Sequence, residues 1–465
     1  MATRIPALEL PFELTSEIFI LCLPLRRRVR PHRNRAPLNL AGTCSQWRAV
    51  AIATPQLWTS ISLDFAGIPY YGLASLFGDA EVESVEDHSV ALMDLWFTRA
   101  AGHRLSISLT CSGKQQLPEE FLATMGAYLA QWGRIELTMP TADLLALDKL
   151  TGSGPFPLLE SLSMQATDIV EGLVSTFDAN LVRYSPNLKA LRLMDERLLD
   201  HITTFPPTLT ALRICDSSTG VVTGETLSAL IASLPHLLHL DIPYSALIWT
   251  NNFRVEATLK TLVVGGDSIL YFLTVPTLQH LGVWLYHDVP VISFLSASKC
   301  HLTILSLGFS QYVLNKVVEN VLFALPYLDT LHVWLPERGS TTTVRCCQVL
   351  HRADLVPQLR TLIITGRAPK PAYAEWVTLL QARRDTLVHA GLHMCALHKH
   401  ERFAPPPPAH IEAQLAELAG GGMQVRITTP TYARPWHAEE EDPVGDFDVE
   451  AYNWHTMRPH SFSPF

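Results

Sequence analysis

The amino-acid sequence predicts an α/β repeat protein, in which a small helical module at the amino terminus is followed by a solenoid of parallel strands. Three observations predict this class. Apolar residues make up 48% of the chain and charged residues only 17%, against the ~25% charge usual in soluble domains, so a large core must be buried. A short leucine pattern recurs along most of the chain, and a helical spacing of apolar residues precedes it. The strands are expected on the concave face, with helices or irregular returns on the convex face.

Charge and hydropathy exclude several classes of protein. The net charge of −9 excludes a chain that binds polyanions with its whole surface. The early apolar run 18–25 is far shorter than the ~20 residues that cross a bilayer, and acids precede it, so neither a membrane span nor a secretory signal is expected. The eight cysteines form no CxxC pair and are expected to be reduced thiols. A cytoplasmic and/or nuclear location follows, with no membrane partner.

The amino-terminal module, residues 1–65, has the apolar spacing of two short helices. The first helix follows Pro11, and its apolar face consists of Leu14, Ile18, Leu21 and Leu25. The second begins near Thr43 and is stopped by Pro55; its apolar side consists of Cys44, Trp47, Val50 and Ala51. A core of this size is small for independent stability, so the module is expected to pack against another part of the chain or against a partner protein.

The same residues resemble an F-box: a Leu-Pro opening, an acidic residue, spaced Ile and Leu, a Cys-x-x-Trp-Arg helix and a final Leu-Trp. The matching positions are Leu10-Pro11, Glu13, Ile18, Leu21, Leu38, Leu40, Cys44, Trp47-Arg48 and Leu57-Trp58. The segment is similar to F-box-like proteins of the type abundant in mushroom-forming fungi. F-boxes bind a Skp-type adaptor and through it a cullin–RING ubiquitin ligase. The resemblance implies that the adaptor-facing residues are Leu10, Pro11, Ile18, Leu21, Leu38, Leu40 and Trp47. The alternative is that they form the core of the module, and for Ile18 and Trp47 both roles can hold.

An arginine-rich insertion, residues 26–35, departs from the F-box pattern, because family members usually have a shorter and less basic link there. Six of its ten residues are arginine. A solvated, disordered loop is the favoured interpretation, ahead of a nuclear localisation signal or contact with RNA or DNA. No aromatic residue interleaves the arginines, which disfavours nucleic-acid binding by stacking.

The body of the chain repeats a Leu-x-x-Leu-x-apolar unit, often with a proline two residues ahead. The nine instances lie at 157–164, 186–193, 207–214, 235–242, 257–264, 276–283, 300–307, 326–333 and 357–364. Their mean spacing, from Leu159 to Leu359, is 25 residues, inside the ~20–29-residue period of leucine-rich repeats. More divergent strands are expected at 103–109, 133–139 and 423–428. Asparagine is absent after these strands, where typical leucine-rich repeats place Asn or Cys, so local irregularity is expected.

The repeat pattern sets the remaining boundaries. Residues 66–104 are predicted as a helical connector, 105–400 as the leucine-rich-repeat solenoid, and 401–465 as a cap followed by an acidic, partly mobile tail. Return helices are predicted over 314–325, around Trp376, and over 411–418 in the cap.

Side chains alternate along each strand between the core and the concave face, so the x positions predict a binding surface. Arginine and large aromatic residues dominate binding free energy at interfaces. The predicted partner-binding residues are Arg192, Arg213, Asp241, Trp284 and Trp334. The alternative for the two tryptophans is that the carboxyl-terminal segment covers them.

Catalytic and metal motifs are absent from the sequence. His393, Cys395, His398 and His400 lack the paired spacing of a zinc site, and no phosphate-loop, dinucleotide, hydrolase or metalloprotease motif occurs. No catalytic residue, metal or cofactor is therefore predicted. We expect a substrate-receptor subunit of a cullin–RING ubiquitin ligase, whose target protein the sequence does not identify. The alternatives are a leucine-rich-repeat scaffold that acts without a ligase, and a nucleic-acid-associated factor that uses the arginine-rich insertion.

Overall fold

The computed structural model describes residues 10–24, 29–64, 85–111, 117, 119–150, 154–168, 178–194, 198–199, 202, 204–214, 224–242, 255–309, 313, 315–335, 340–366, 372–394, 406–429 and 432–435. The predicted acidic tail, much of the predicted connector and part of the arginine-rich insertion lie outside these residues. The chain divides into two compact units, Met1–Ser217 and Ser218–Phe465. Within the described residues, no helix is both long enough and apolar enough to span a membrane.

The first unit combines three short amino-terminal helices with an open parallel sheet. Its helices are α1 Phe12–Leu21, α2 Leu38–Thr43, α3 Ser45–Ile52, α4 Val85–Arg99, α5 Glu119–Ala127, α6 Thr141–Leu150 and α7 Asn180–Arg183. Its strands are β1 Ser60–Asp64, β2 Leu105–Thr110, β3 Trp132–Met139, β4 Ser161–Ala166, β5 Ala190–Leu193 and β6 Ala211–Ile214. They pair in chain order, and every neighbouring pair is parallel.

The second unit continues the same alternation of strand and return segment. Its helices are α8 Gly224–Ser233, α9 Val289–Ser298, α10 Asn315–Phe323, α11 Ser340–Leu350, α12 Tyr373–Ala382 and α13 Ala409–Gly420. Its strands are β7 His239–Ile242, β8 Val255–Glu256, β9 Thr261–Val264, β10 Leu273–Thr274, β11 His280–Leu285, β12 Ile304–Phe309, β13 Thr330–Leu335, β14 Thr361–Gly366, β15 His389–Met394, β16 Gln424–Thr429 and β17 Tyr432–Pro435. The strands of its open sheet pair in parallel in the order β7-β9-β11-β12-β13-β14-β15-β16, and β17 pairs antiparallel with β16 as the last strand. The two-residue strands β8 and β10 pair separately.

Each of the nine predicted leucine units forms a strand, so this prediction is confirmed. The register aligns equivalent leucines across the sheet, as in the row Leu281, Leu305, Leu331 and Leu362. The three divergent strands are confirmed as β2, β3 and β16. The strands β1, β15 and β17 were not predicted, because none of them carries the Leu-x-x-Leu spacing.

The turn before each strand explains the recurring proline. Before β13, the N–H of Leu328 donates to the carbonyl of Leu325 at 3.2 Å, which places Pro326 at the second position of the turn. Proline is favoured there because its fixed φ suits the turn and no N–H is required. Equivalent hydrogen bonds close the turns before β4, β5, β6, β7, β11 and β14.

The return helices bury one face each against the sheet and against the neighbouring return. The helix predicted over 314–325 is confirmed as α10, with Val318, Val321 and Leu322 buried. The helices predicted around Trp376 and over 411–418 are confirmed as α12 and α13. Contacts run from α10 to α11, from α11 to α12 and from α12 to α13, so neighbouring repeats share one core.

A buried arginine joins two of these returns. Arg383, directly after α12, donates hydrogen bonds to four carbonyl groups at the end of α11 and in the following turn. The acceptors are the carbonyl oxygens of Leu350, Arg352, Leu355 and Val356. The carbonyls at a helix carboxyl terminus lack intrahelical partners, and the planar guanidinium carries several N–H donors that point in different directions in one plane. Burial lowers the pKa of this side chain from its ordinary value.

Candidate interaction surfaces

The outward face of α1 is apolar. Ile18 is 46% exposed and Leu21 is 82% exposed, and Leu10 and Leu14 are also exposed. The buried side of the helix consists instead of Thr15 and Phe19. The predicted helix is therefore confirmed, but its predicted apolar face points away from the core of the module.

Two contacts explain why the buried side of α1 is displaced from the predicted face. The Phe19 ring packs edge-on against Trp47, with 5.1 Å between ring centroids. The Thr15 hydroxyl donates to the carbonyl of Pro11 at 3.0 Å, so this polar residue can lie in the interior. Ile18, Leu21, Leu10 and the exposed Pro11 do not belong to the core of the module.

The remaining residues of the predicted adaptor face lie deeper. Leu40 is buried, and Leu38 and Trp47 are half-buried. The Cys44 sulfur accepts a hydrogen bond from the Trp47 backbone N–H at 3.4 Å and so caps α3. Of the seven predicted residues, four are exposed on or beside α1, and Leu40 belongs to the interior. Whether any of them binds an adaptor stays a prediction.

A tryptophan joint holds the amino-terminal helices against the sheet of the first unit. The buried Trp58 donates its indole N–H to the carbonyl of Ala51 in α3, at 2.8 Å. Its ring packs edge-on against Trp96 of α4 at 4.9 Å, and the guanidinium of Arg99 lies 4.4 Å from its centroid. The Trp96 indole N–H donates in turn to the carbonyl of Ser60, at the start of β1, at 2.9 Å. The joint fixes α3, α4 and β1 to one another.

The described part of the arginine-rich insertion, which we call the basic turn (residues 29–35), is folded against the edge of this sheet. The Val29 side chain is buried, and its carbonyl accepts a hydrogen bond from the N–H of Ser62 in β1 at 2.9 Å. Arg30 lies 3.9 Å from Asp64 at the end of the same strand. For residues 29–35 the prediction of a disordered loop is thus wrong, whereas the predicted solvation holds for Arg30, Arg33 and Arg35, which are exposed. The single apolar residue among the arginines was the sequence signal for this anchor.

The sheet face of the first unit that lies opposite the buried leucines is polar. In β2, Leu105, Ile107 and Leu109 are buried, whereas the alternating serines and threonine are half-buried. The register places one row across the sheet, consisting of Ser62, Ser108, Glu136, Ser163, Arg192 and Arg213. The two predicted arginines are therefore direct neighbours on adjacent strands. Their role in binding a partner stays a prediction.

The corresponding sheet face of the second unit holds an aromatic cluster. The Trp284 ring reaches across Gly308 and meets Trp334 edge-on, with 5.2 Å between centroids, and Val263 completes the cluster. Trp284 is only 8% exposed and Trp334 only 5%. A partner on this face could therefore contact only a small part of either side chain. The predicted Asp241 lies on β7, in register with Val263.

Two buried histidines lie on the same face. His280 Nε2 is hydrogen-bonded to the Ser306 hydroxyl at 3.1 Å, and His332 Nε2 to the Thr365 hydroxyl at 2.9 Å. Burial lowers the pKa of each imidazole to about 4, and neighbouring histidines, His393 among them, contribute further to the lowering at His332. Both side chains are therefore neutral near pH 7, and they act as polar core residues rather than as charged binding groups.

The described residues contain no group of three or more His, Cys, Asp or Glu side chains placed to hold a metal ion. Of the histidine and cysteine group 393–400, His393 alone is among them. No protein-family model matches the chain, and no curated protein matches it. The F-box relationship therefore depends on the residue pattern itself and stays a prediction.

Proposed function

We propose that the chain is the substrate-receptor subunit of a cullin–RING ubiquitin ligase. In this proposal α1, α2 and α3 act as an F-box that binds a Skp-type adaptor, and the parallel-strand repeats act as a leucine-rich-repeat solenoid that binds the target protein. The transfer of ubiquitin takes place on other subunits. This chain contributes the positioning of the target, which raises the effective concentration of the reacting groups.

The observation that supports the adaptor site is the exposure of the apolar face of α1. Ile18 and Leu21 are exposed although they lie beside a packed core, and Leu10 extends the same surface. Fully covering an exposed aliphatic side chain contributes about 1.5–3 kcal/mol; because Leu21 is mostly exposed but Ile18 only about half, a partner that covers both gains about 2–4 kcal/mol. The hydrogen bonds and the ring contact of Trp58 and Trp96 support the positioning role, because they connect α3 and α4 to one another and to the first strand of the sheet.

Co-purification with a recombinant Skp-type adaptor tests the proposal. The double variant Ile18→Asp with Leu21→Asp should bind the adaptor at least ~100-fold more weakly, because two apolar contacts are lost and two carboxylates are desolvated. Both side chains are exposed, so the thermal unfolding midpoint should not change. Phe323→Asp, at an exposed apolar position in the second unit, is the matched control and should bind as the wild type does.

Trp47→Ala is a weaker test, because Trp47 also packs on Phe19 and its loss would disturb the helices themselves. Wild-type protein that captures a target but never an adaptor would contradict the proposal and favour the ligase-independent scaffold. A double variant that still binds the adaptor with wild-type affinity would exclude α1 as the site.

A further inference from the structure

The basic turn presents its arginines from an anchored backbone. At its start, Val29 is buried and hydrogen-bonded to β1. At its end, the N–H of Arg35 donates to the carbonyl of His32 at 2.9 Å, and the Arg35 carbonyl accepts from Asn39 in α2 at 3.0 Å. A charged group held by such contacts loses less conformational entropy on binding than one on a free loop.

The arginine side chains of the basic turn are exposed to solvent. Arg33 and Arg35 are exposed, and the Arg30 side chain is 63% exposed in spite of its contact with Asp64. Among the described residues, no ion pair involves Arg33 or Arg35. An exposed pair such as Arg30–Asp64 contributes little free energy, so the local surface stays basic. It contrasts with the −9 net charge of the whole chain.

The basic turn and α1 belong to the same small module: the turn runs directly into α2, and both α1 and α2 contact α3. A folded module of about 50 residues has a radius of gyration of about 10 Å, which is close to one Debye length at physiological salt. Charges on the turn therefore contribute to the electrostatic potential that a partner of α1 meets, and most strongly at low salt. The exposed Glu13 and Glu17 lie on α1 itself, whereas the exposed Arg33, Arg35 and Arg48 lie outside that helix.

We propose that the basic turn is a second part of the adaptor-binding surface and that it takes an acidic face of the same partner. This inference rests on the proposed function. A protein partner is favoured over RNA because the turn contains no Phe, Tyr or Trp on which bases could stack, and because α1 of the same module exposes apolar side chains. Charges at the rim of an interface act mainly on the association rate and on its salt dependence.

Association kinetics with a recombinant Skp-type adaptor test this inference, at about 50 mM and about 500 mM salt. Arg33→Glu with Arg35→Glu should lower the association rate constant about tenfold at low salt and less than about twofold at high salt, with little change in the dissociation rate. The matched control is Lys316→Glu with Arg384→Glu, which changes the net charge equally at two mostly exposed positions in the second unit. It should leave both rates within about twofold of the wild type.

Three outcomes would overturn the inference. If the adaptor binds the wild type and the Arg33/Arg35 variant with equal rates at low salt, the inference fails and the proposed function stands. If the wild type binds no adaptor, both fail. The third outcome has two parts: the wild type binds an RNA homopolymer in a salt-sensitive way and the Arg33/Arg35 variant does not, while the adaptor association rates of the two proteins are equal. In that case the turn is a nucleic-acid site instead.

Discussion

Replacing Gly308 by alanine should destabilise the second unit, because the Trp284 ring occupies the space above this glycine. A Cβ atom at position 308 would lie 2.4 Å from Cε3 and 2.7 Å from Cζ3 of Trp284. Ordinary carbon–carbon contact is about 3.5 Å, so the ring would have to move by about 1 Å. Overpacking of this kind costs about 1–3 kcal/mol, and losing the edge-on contact with Trp334 costs about 0.5–1.5 kcal/mol more. The expected loss in the free energy of unfolding is about 3 kcal/mol.

Thermal and urea unfolding followed by tryptophan fluorescence measure this loss. For a unit of this size each kcal/mol lowers the midpoint by about 2–4 °C, so a decrease of about 6–12 °C is expected. Gly126→Ala is the matched control: it lies in α5, a Cβ there meets nothing within 4 Å, and alanine should stabilise the helix by about 0.5–1 kcal/mol. A Gly308→Ala protein as stable as the wild type, with unchanged emission, would refute the packing of Trp284 over Gly308.

Two further predictions concern buried polar groups. Arg383→Met keeps most of the side-chain volume but leaves four carbonyls without their donor, so the free energy of unfolding from urea denaturation should fall by about 3–5 kcal/mol. The neighbouring exposed Arg384→Met should change it by less than about 0.5 kcal/mol. Burial lowers the pKa of His280 and His332 to about 4, so as pH falls these histidines become protonated in the unfolded chain before they do in the folded one. The free energy of unfolding should therefore drop between pH ~6.5 and ~4 by about 3 kcal/mol per histidine. Urea midpoints across this range should show the slope, and His332→Gln should reduce it; a flat profile would contradict the buried, neutral histidines.

The strands could be predicted from the sequence because their signal is local and repeated. A leucine at two fixed positions and a proline at the second position of the turn recur often enough to exclude chance, and all nine predicted units form strands. The strands β1 and β15 were not predicted, since they carry Ile61 and Ala390 at the position that aligns with the second leucine of the pattern. These strands form because they extend a sheet that already exists, which is a tertiary effect.

The surfaces were harder to predict, because a helical spacing fixes which residues share a face but not which face is buried. On α1 the stripe through Ile18 and Leu21 has the stronger apolar signal, yet the interior takes Phe19 and Thr15. The aromatic contact of Phe19 with Trp47 decides the orientation, and that contact depends on how α1 and α3 cross. The burial of Val29 was equally hard to predict, because a single valine among arginines shows no apolar periodicity.

The two tryptophans show why composition alone does not locate a binding surface. Large aromatic residues are enriched both at interfaces and in cores, so Trp284 and Trp334 were predicted as binding residues from their type alone. In the structure the two rings pack against each other, because Gly308 on the strand between them leaves room for the Trp284 ring. Arginine is different, because it is rarely buried without a partner for its charge. Arg192 and Arg213 lie side by side on adjacent strands and are half-buried, and like charges in such a row are tolerated where solvent or an acidic group reaches them. Whether Arg192 and Arg213 contact a target therefore stays a prediction.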